Sequence, residues 1–283
     1  MKKDAGLKSN FHTHTFRCGH AKGDIKDYTK SAISFGFKNI GFSDHAFLPG
    51  IHHEFMRGDF SLLDDYIKAF QKAKKKYGKN INMYLGFEAE YMENFDSYYD
   101  DLLNKYGFDY LILGQHLKYD ENGKLDLYFN ANKLNDIENI KRYKDDLIKG
   151  MKSGKFLYVC HPDLFIMYIN NINDEIIEII NEIVDASIKY DVPLEVNLGG
   201  LRWNTYFALN RGAFSYPNFT FWDIVSKKKA KAVIGLDAHD PHDLSNSLKF
   251  VLDDFLKKHD LNIVDPLDVY LSYKIKQEKE KKY

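Results

Sequence analysis

The chain has 283 residues, with 40 Lys and Arg against 41 Asp and Glu and a formal net charge of −1. That balance argues against a dedicated nucleic-acid binder, which carries a basic surplus, and a 44% hydrophobic fraction supplies an ordinary globular core. Apolar runs such as Tyr110–Gly114 are strand-sized, far short of the ~20 residues of a membrane span. No apolar run follows Met1-Lys2-Lys3-Asp4 to form a secretory signal, and the two cysteines, Cys18 and Cys160, are too few for a disulfide framework. The expectation is a cytoplasmic chain without membrane or nucleic-acid partners.

The first strand is expected over Leu7–His12, followed by a helix over Ile25–Phe35 that Asp24 can cap. A second strand, Asn39–Ser43, precedes a helix over Ser61–Tyr77, where Leu62, Leu63, Tyr66, Ile67 and Phe70 recur at helical spacing. Strands then fall at Ile81–Glu88, Asp109–Gly114 and Phe156–Cys160. A helix over Asp174–Tyr190 repeats Ile176, Ile177, Ile180, Ile183 and Val184. Strands at Pro193–Asn197 and Ala232–Leu236, with helices over Asn218–Lys229 and Leu244–Lys258, complete the series. Near-continuous apolar strands alternating with helices imply a parallel sheet covered on both faces. Seven such units without a Pro/Gly/Ser linker predict a single α/β domain over 1–283, a closed or nearly closed (β/α)7 barrel. Residues 268–283 read as a charged C-terminal tail, whose end from Lys274 is expected as a solvated, frayed helix.

Seven of the eleven histidines lie at or just past the end of a predicted strand. His12 and His14 form His-Thr-His, His20 lies in the next loop, and His45 ends Gly-Phe-Ser-Asp-His. His116 sits in Gly-Gln-His, His161 in Cys-His-Pro and His239 in Leu-Asp-Ala-His, while Glu88 and Glu90 stand in Gly-Phe-Glu-Ala-Glu. In a parallel barrel every strand's C-terminal end opens on one face, so these distant residues converge. Side chains two apart on a strand point the same way, which makes His12/His14 and Asp237/His239 chelating pairs. Imidazole nitrogens with carboxylate oxygens suit Zn, Mn or Fe. Close divalent ions lower the pKa of bound water and neutralise phosphate oxygens, so the pattern predicts metal-dependent phosphoester hydrolysis. Cys18 and Cys160 each neighbour a motif histidine and are read as buried packing residues rather than ligands. His52, His53, His242 and His259 lack such a setting and are read as surface residues or as partners standing behind the ligands.

Taken in order over residues 9–243, these motifs resemble the PHP (polymerase and histidinol phosphatase) superfamily. The resemblance implies a distorted seven-stranded, TIM-like barrel with two or three divalent ions at the strand C-terminal ends. Carried over by position, the first ion takes His12, His14, Glu88 and Asp237. The second shares Glu88 and adds His116 and His161, and the third takes His20, His45 and His239. Asp44 is expected behind the ligands, orienting an imidazole. Glu90 either points into the same pocket or pairs with a surface lysine.

Further segments are similar to the monofunctional histidinol-phosphate phosphatases. These are His12-Thr13-His14-Thr15 with Cys18-Gly19-His20-Ala21, Asp44 to Pro49, Leu194 to Asn197 with Gly200-Leu201-Arg202, and Tyr216-Pro217. They imply hydrolysis of L-histidinol phosphate to histidinol and phosphate, a step of histidine biosynthesis. Arg202 is the expected phosphate clamp, because a guanidinium matches phosphate bidentately; Arg17 and Arg211 are further candidates. Asp237 or His239 is expected to assist the leaving oxygen. Three departures surround the substrate side rather than the metals. Asn197-Leu198-Gly199-Gly200 lacks an expected Thr-Ser, Leu236 stands where Ser is common, and Trp203–Phe214 is longer and more aromatic. A PHP phosphoesterase acting on nucleotides, sugar phosphates or phosphotyrosyl protein is the competing enzyme reading. A metal-storing or regulatory barrel without turnover is the alternative from another class. The motifs leave metal identity and oligomeric state open.

Overall fold

The computed structural model describes residues 7–53, 56–119, 123–129, 135–169, 171–202 and 216–280. The elements that build the barrel wall begin with β1 (Ser9–Asn10), α1 (Ile25–Phe35), β2 (Asn39–His45), α2 (Leu63–Tyr77), β3 (Asn82–Ala89), α3 (Asp96–Asn104) and β4 (Tyr110–Leu113). A small antiparallel hairpin, β5 (Leu117–Tyr119) and β6 (Leu125–Leu127), interrupts the alternation before α4 (Ile137–Lys152) and α5 (Asp174–Tyr190). Then come β7 (Leu194–Asn197), α6 (Phe219–Lys228), β8 (Lys231–Gly235), α7 (Lys249–His259), β9 (Asn262–Ile263) and α8 (Pro266–Glu280).

Parallel pairing runs β1-β2-β3-β4 and β7-β8-β9. Three isolated bridges join these arcs. Val159 bridges Leu113 on one side and Leu194 on the other, and Thr13 bridges Ala238. The expected fifth strand is thus a strand-like segment in which Val159 alone pairs both ways. Its main chain still alternates, with Val159 N–H on the Pro193 carbonyl at 2.9 Å and Cys160 N–H on the Leu113 carbonyl at 2.8 Å. The ring closes where His14 N–H donates to the Ala238 carbonyl at 2.9 Å and Ala238 N–H to that of His12 at 3.2 Å. Seven segments therefore surround one axis among the described residues, as a distorted TIM-like barrel.

Helix α5 shows why the sequence folds this way. The Asn173 side chain accepts the Ile176 N–H at 3.0 Å and so caps an otherwise orphaned donor. Ile176, Ile179, Ile180, Ile183 and Val184 then form a buried stripe against the sheet. Each contributes roughly 1.5–3 kcal/mol by burial. Residues 249–259 correct the expected start of the helix before α8. Two 3-10 turns, Pro241–Leu244 and Asn246–Leu248, precede it and seat the loop after His239.

Inside the ring, Phe11, Tyr110, Ile112, Leu157, Tyr158, Cys160 and Val233 form a second apolar cluster. Tyr110 crosses this interior and donates its hydroxyl to the Phe11 carbonyl at 2.7 Å. The charged stretch expected as a tail instead begins as a plug. Tyr270 of α8 is 8% exposed, packs 5.0 Å from the Tyr84 ring and, with Leu267 and Tyr273, belongs to that cluster. Only the later turns of α8 are mostly exposed. The plug leaves the opposite rim, at the strand C-terminal ends, for chemistry.

Candidate metal centre

Strand β1 ends at Asn10, and the Asn10 side chain shapes the bend after it. Its Nδ2 donates to the His12 carbonyl (2.9 Å) and to Thr13 Oγ1 (2.8 Å), while its Oδ1 accepts from Leu236 N–H (2.9 Å). The short bend turns both imidazoles inward, so that His12 Nε2 and His14 Nε2 lie 3.1 Å apart. Asp237 meets them from the loop after β8: its Oδ1 is 3.4 Å from His12 Nε2 and 3.3 Å from His14 Nε2.

Glu88, at the end of β3, lies between two groups of donors. Its Oε2 faces His12 (3.4 Å), His14 (3.3 Å) and His45 Nδ1 (3.2 Å). Its Oε1 faces His161 Nε2 (2.8 Å) and His116 Nε2 (3.5 Å). His239 stacks on His14 with ring centroids 4.1 Å apart, and His20 stacks on His239 at 4.7 Å. His45 belongs with His14 and His239 in one group of converging donor atoms, and His20 with His239 and Cys18 in another. All nine expected ligands are therefore brought to one rim. Cys18 and Cys160 are buried, and each lies close enough to join a donor group.

The donor atoms fit divalent metal on grounds of lone-pair direction. His20 Nδ1 bonds the Cys18 carbonyl at 3.1 Å and His239 Nδ1 bonds the Asp237 carbonyl at 3.1 Å. A carbonyl only accepts, so each Nδ1 carries the hydrogen, and a ring in its neutral form presents a bare Nε2 lone pair. Those two Nε2 atoms face each other at 3.0 Å. Burial first, then neighbouring His239 and His14, push the His20 imidazole down to about 4, which keeps it neutral. Two lone pairs at that separation repel unless a proton or a metal cation lies between them, and the surrounding groups of converging His and carboxylate donors suit the metal. Metal–ligand bonds of about 2.0–2.2 Å place donors roughly 3 Å apart, the spacing found throughout this rim. In the protein alone, burial opposes charge on Glu88, yet His45, His116 and His12 hold its carboxylate well below the usual range.

Several supports were absent from the expected set. Glu195 is fully buried, holds His12 Nδ1 at 2.8 Å and accepts from His161 N–H (3.1 Å) and Asn197 Nδ2 (2.8 Å). This carboxylate fixes the His12 tautomer with Nε2 toward the metals. A Cβ on Gly235 would collide with Glu195 Oε1, and one on Gly114 would collide with Glu88 Oε1. Both glycines are thus demanded by carboxylates. His161 and Asp237 adopt positive φ, 30° and 46°, a strain of roughly 1–3 kcal/mol each that clusters at functional sites.

Other expectations are modified. Asp44 accepts Thr15 N–H and Oγ1, both at 2.5 Å, and lies 4.0 Å from His14 Nδ1, so it braces the loop and not the ring directly. Glu90 pairs with buried Arg57 at 2.6 Å, not with a surface lysine. Arg17 is not available to phosphate: its guanidinium is 2% exposed and bound to Asp24 (2.6 Å) and Asp65 (2.7 Å). Arg202 Nη2 donates to the Leu236 and Asp237 carbonyls, and its Nε lies 3.5 Å from Asp243 Oδ1. Arg211 and the whole aromatic segment Trp203–Phe214 fall outside the described residues. Of the four histidines set aside, His259 is buried and paired with Asp223 at 2.9 Å. His52 faces Asp59 at 3.3 Å. No described helix is long and apolar enough to cross a membrane.

Fold and donor set together define a barrel protein built to gather divalent cations at its C-terminal rim. The chain belongs to the PHP domain family, whose model matches residues 10–198. It is 24% identical over 272 residues to a histidinol-phosphatase of Bacillus subtilis (strain 168), covering 87% of this chain and 98% of that one. A Deinococcus radiodurans relative named "Probable histidinol-phosphatase" is 23% identical over 242 residues, covering 81% and 85%. The crystal structure of a histidinol phosphate phosphatase from Lactococcus lactis, complexed with Zn, L-histidinol and phosphate, superposes with a TM-score of 0.63. Its identity is 17%, over 91% of this chain and 95% of that chain.

Proposed function

We propose that the protein is a metal-dependent phosphomonoester hydrolase that converts L-histidinol phosphate and water to L-histidinol and phosphate. The observation that carries the reading is the convergence of His12, His14, His45, His116 and His161 on Glu88, with the His20 and His239 Nε2 atoms facing each other at 3.0 Å. The substrate assignment is supported by three relatives that carry this activity in their names. A cytoplasmic location is part of the same proposal.

The proposed holders are His12, His14, Glu88 and Asp237 for one ion, Glu88, His116 and His161 for a second, and His20, His45 and His239 for a third. Two or three divalent ions of Zn, Mn or Fe type would supply an activated water at neutral pH and positive charge for phosphate oxygens. Glu195 holds the His12 ring in register. Arg202, 21% exposed beside Asp237, is the cation proposed to hold the phosphate. Asp237 or His239, whose Oδ1 and Nδ1 lie 3.3 Å apart, is proposed to manage the proton on the leaving oxygen.

The test is phosphate release from L-histidinol phosphate, p-nitrophenyl phosphate and mononucleotides, each with added Mn or Zn. A preference of about tenfold or more in kcat/KM for histidinol phosphate, equal to about 1.4 kcal/mol in the transition state, is expected. Equal or better hydrolysis of a mononucleotide would reassign the substrate, and no release from any ester would reject catalysis.

A further inference from the structure

Glu88 and Glu90 stand two residues apart at the end of β3, so strand alternation sends both carboxylates to the same side. There they approach opposite nitrogens of one imidazole, and the Glu90 carboxylate is the acceptor facing a buried Nδ1 that makes no hydrogen bond. His116 Nε2 faces Glu88 Oε1 at 3.5 Å, and His116 Nδ1 faces Glu90 Oε1 at 3.5 Å. Glu88 is shared among five imidazoles, but Glu90 is held by a cation. Arg57 Nη2 donates to Glu90 Oε1 at 2.6 Å, and Arg57 Nη1 donates to the Ala46 carbonyl at 2.9 Å. Both side chains are buried, 0% and 1% exposed.

A buried ion pair is a poor source of stability, because desolvation offsets the Coulomb gain. Its position gives it another use. Ala46 follows ligand His45, and Glu90 faces ligand His116, so one guanidinium ties two ligand-bearing loops together. It also neutralises the carboxylate that would otherwise compete with Glu88 for the cations. We propose that Glu90, clamped by Arg57, is the positioning residue for His116: it keeps the hydrogen on Nδ1 and turns the Nε2 lone pair toward Glu88. Arg57 decides which of two neighbouring carboxylates binds metal and which orients a ligand. The inference rests on the metal reading of the rim and is independent of the substrate.

The test uses metal titration, not turnover. Full-length protein is stripped of metal, its fold verified by circular dichroism, and then titrated with Zn against a chromophoric chelator. Co(II) absorption provides a second signal. Glu90→Gln is expected to weaken one class of site by about 10–100-fold and to shift the Co(II) band. Glu90→Asp keeps the charge beside Arg57 but withdraws it from His116, and it should show the same loss. Wild-type Zn affinity and an unchanged Co(II) spectrum in either variant would overturn the proposal. In the metal-free wild type, nitrogen-15 histidine spectra should show His116 protonated on Nδ1; the opposite tautomer would also overturn it, even if neither variant folds. Failure of the histidinol phosphate assay would leave all these readouts unaffected.

Discussion

His20 and His239 are decisive residues because their Nδ1 atoms are committed to carbonyls, which leaves the facing Nε2 atoms of both rings to share a proton or a metal cation. The same logic, with a carboxylate in place of the carbonyl, applies to His12 and Glu195. Gly235 makes room for that carboxylate, so Gly235→Ala should displace Glu195 and weaken metal binding by about 10–100-fold, as read by equilibrium dialysis. Retention of wild-type affinity would remove Glu195 from the role given to it. The convergence of the nine proposed ligands was legible in the sequence because each ends or follows a strand, and the barrel does the converging. Glu195 was not, since a single carboxylate inside Leu-Glu-Val-Asn looks like any polar strand position. Arg57 carries no motif at all. Arg17 misled in the other direction: it stands between two ligand motifs, but Asp24 and Asp65 consume its donors.

Two elements hold the rim and the opposite end in place. Asp163 lies two residues past His161 and accepts Asn218 N–H (2.5 Å) and Trp222 Nε1 (3.1 Å), anchoring the start of α6. Burial, against those hydrogen bonds, pushes its carboxyl up to about 7. The unfolded chain ionises near 4, so between about pH 4 and 7 the folded state keeps a proton that the unfolded state loses. Stability contributed by Asp163 therefore falls as pH rises through that window, with a slope of at most about 1.4 kcal/mol per pH unit. Asp163→Asn retains an acceptor and should flatten this slope in urea unfolding measured at pH 5, 6 and 7; an unchanged slope would contradict the assignment. At the other end, Tyr270→Ala should cost about 3 kcal/mol, in the range for truncating a buried aromatic. It should leave kcat unchanged well below the melting transition. Loss of kcat at full folding would mean that α8 does more than plug the barrel. That plug was hidden in the sequence because the surrounding lysines and glutamates dominate its composition. The fifth strand, by contrast, was visible as an apolar run, although one residue carries its pairing on both sides.

The molecule as a whole is an α/β ring with an aromatic interior between a helix plug and a rim of imidazoles. Its near-neutral charge conceals a concentration of buried ionisable groups at that rim, where His12, His14 and His161 are held above the ordinary imidazole range. For His12, burial opposes this, but Glu195 and Asp237 outweigh it. Cation uptake must displace those protons, so affinity should rise with pH. The alternation of strands and helices was readable because apolar strands and amphipathic helices differ in period. The hairpin β5–β6 was not, since its short strands carry little periodic signal. The most direct test measures bound metal and histidinol phosphate turnover on one sample, before chelation, after it, and after reconstitution. Metal and turnover are predicted to disappear and return together, with two or three ions per chain in the active form. A metal-free preparation that kept full turnover would contradict the account.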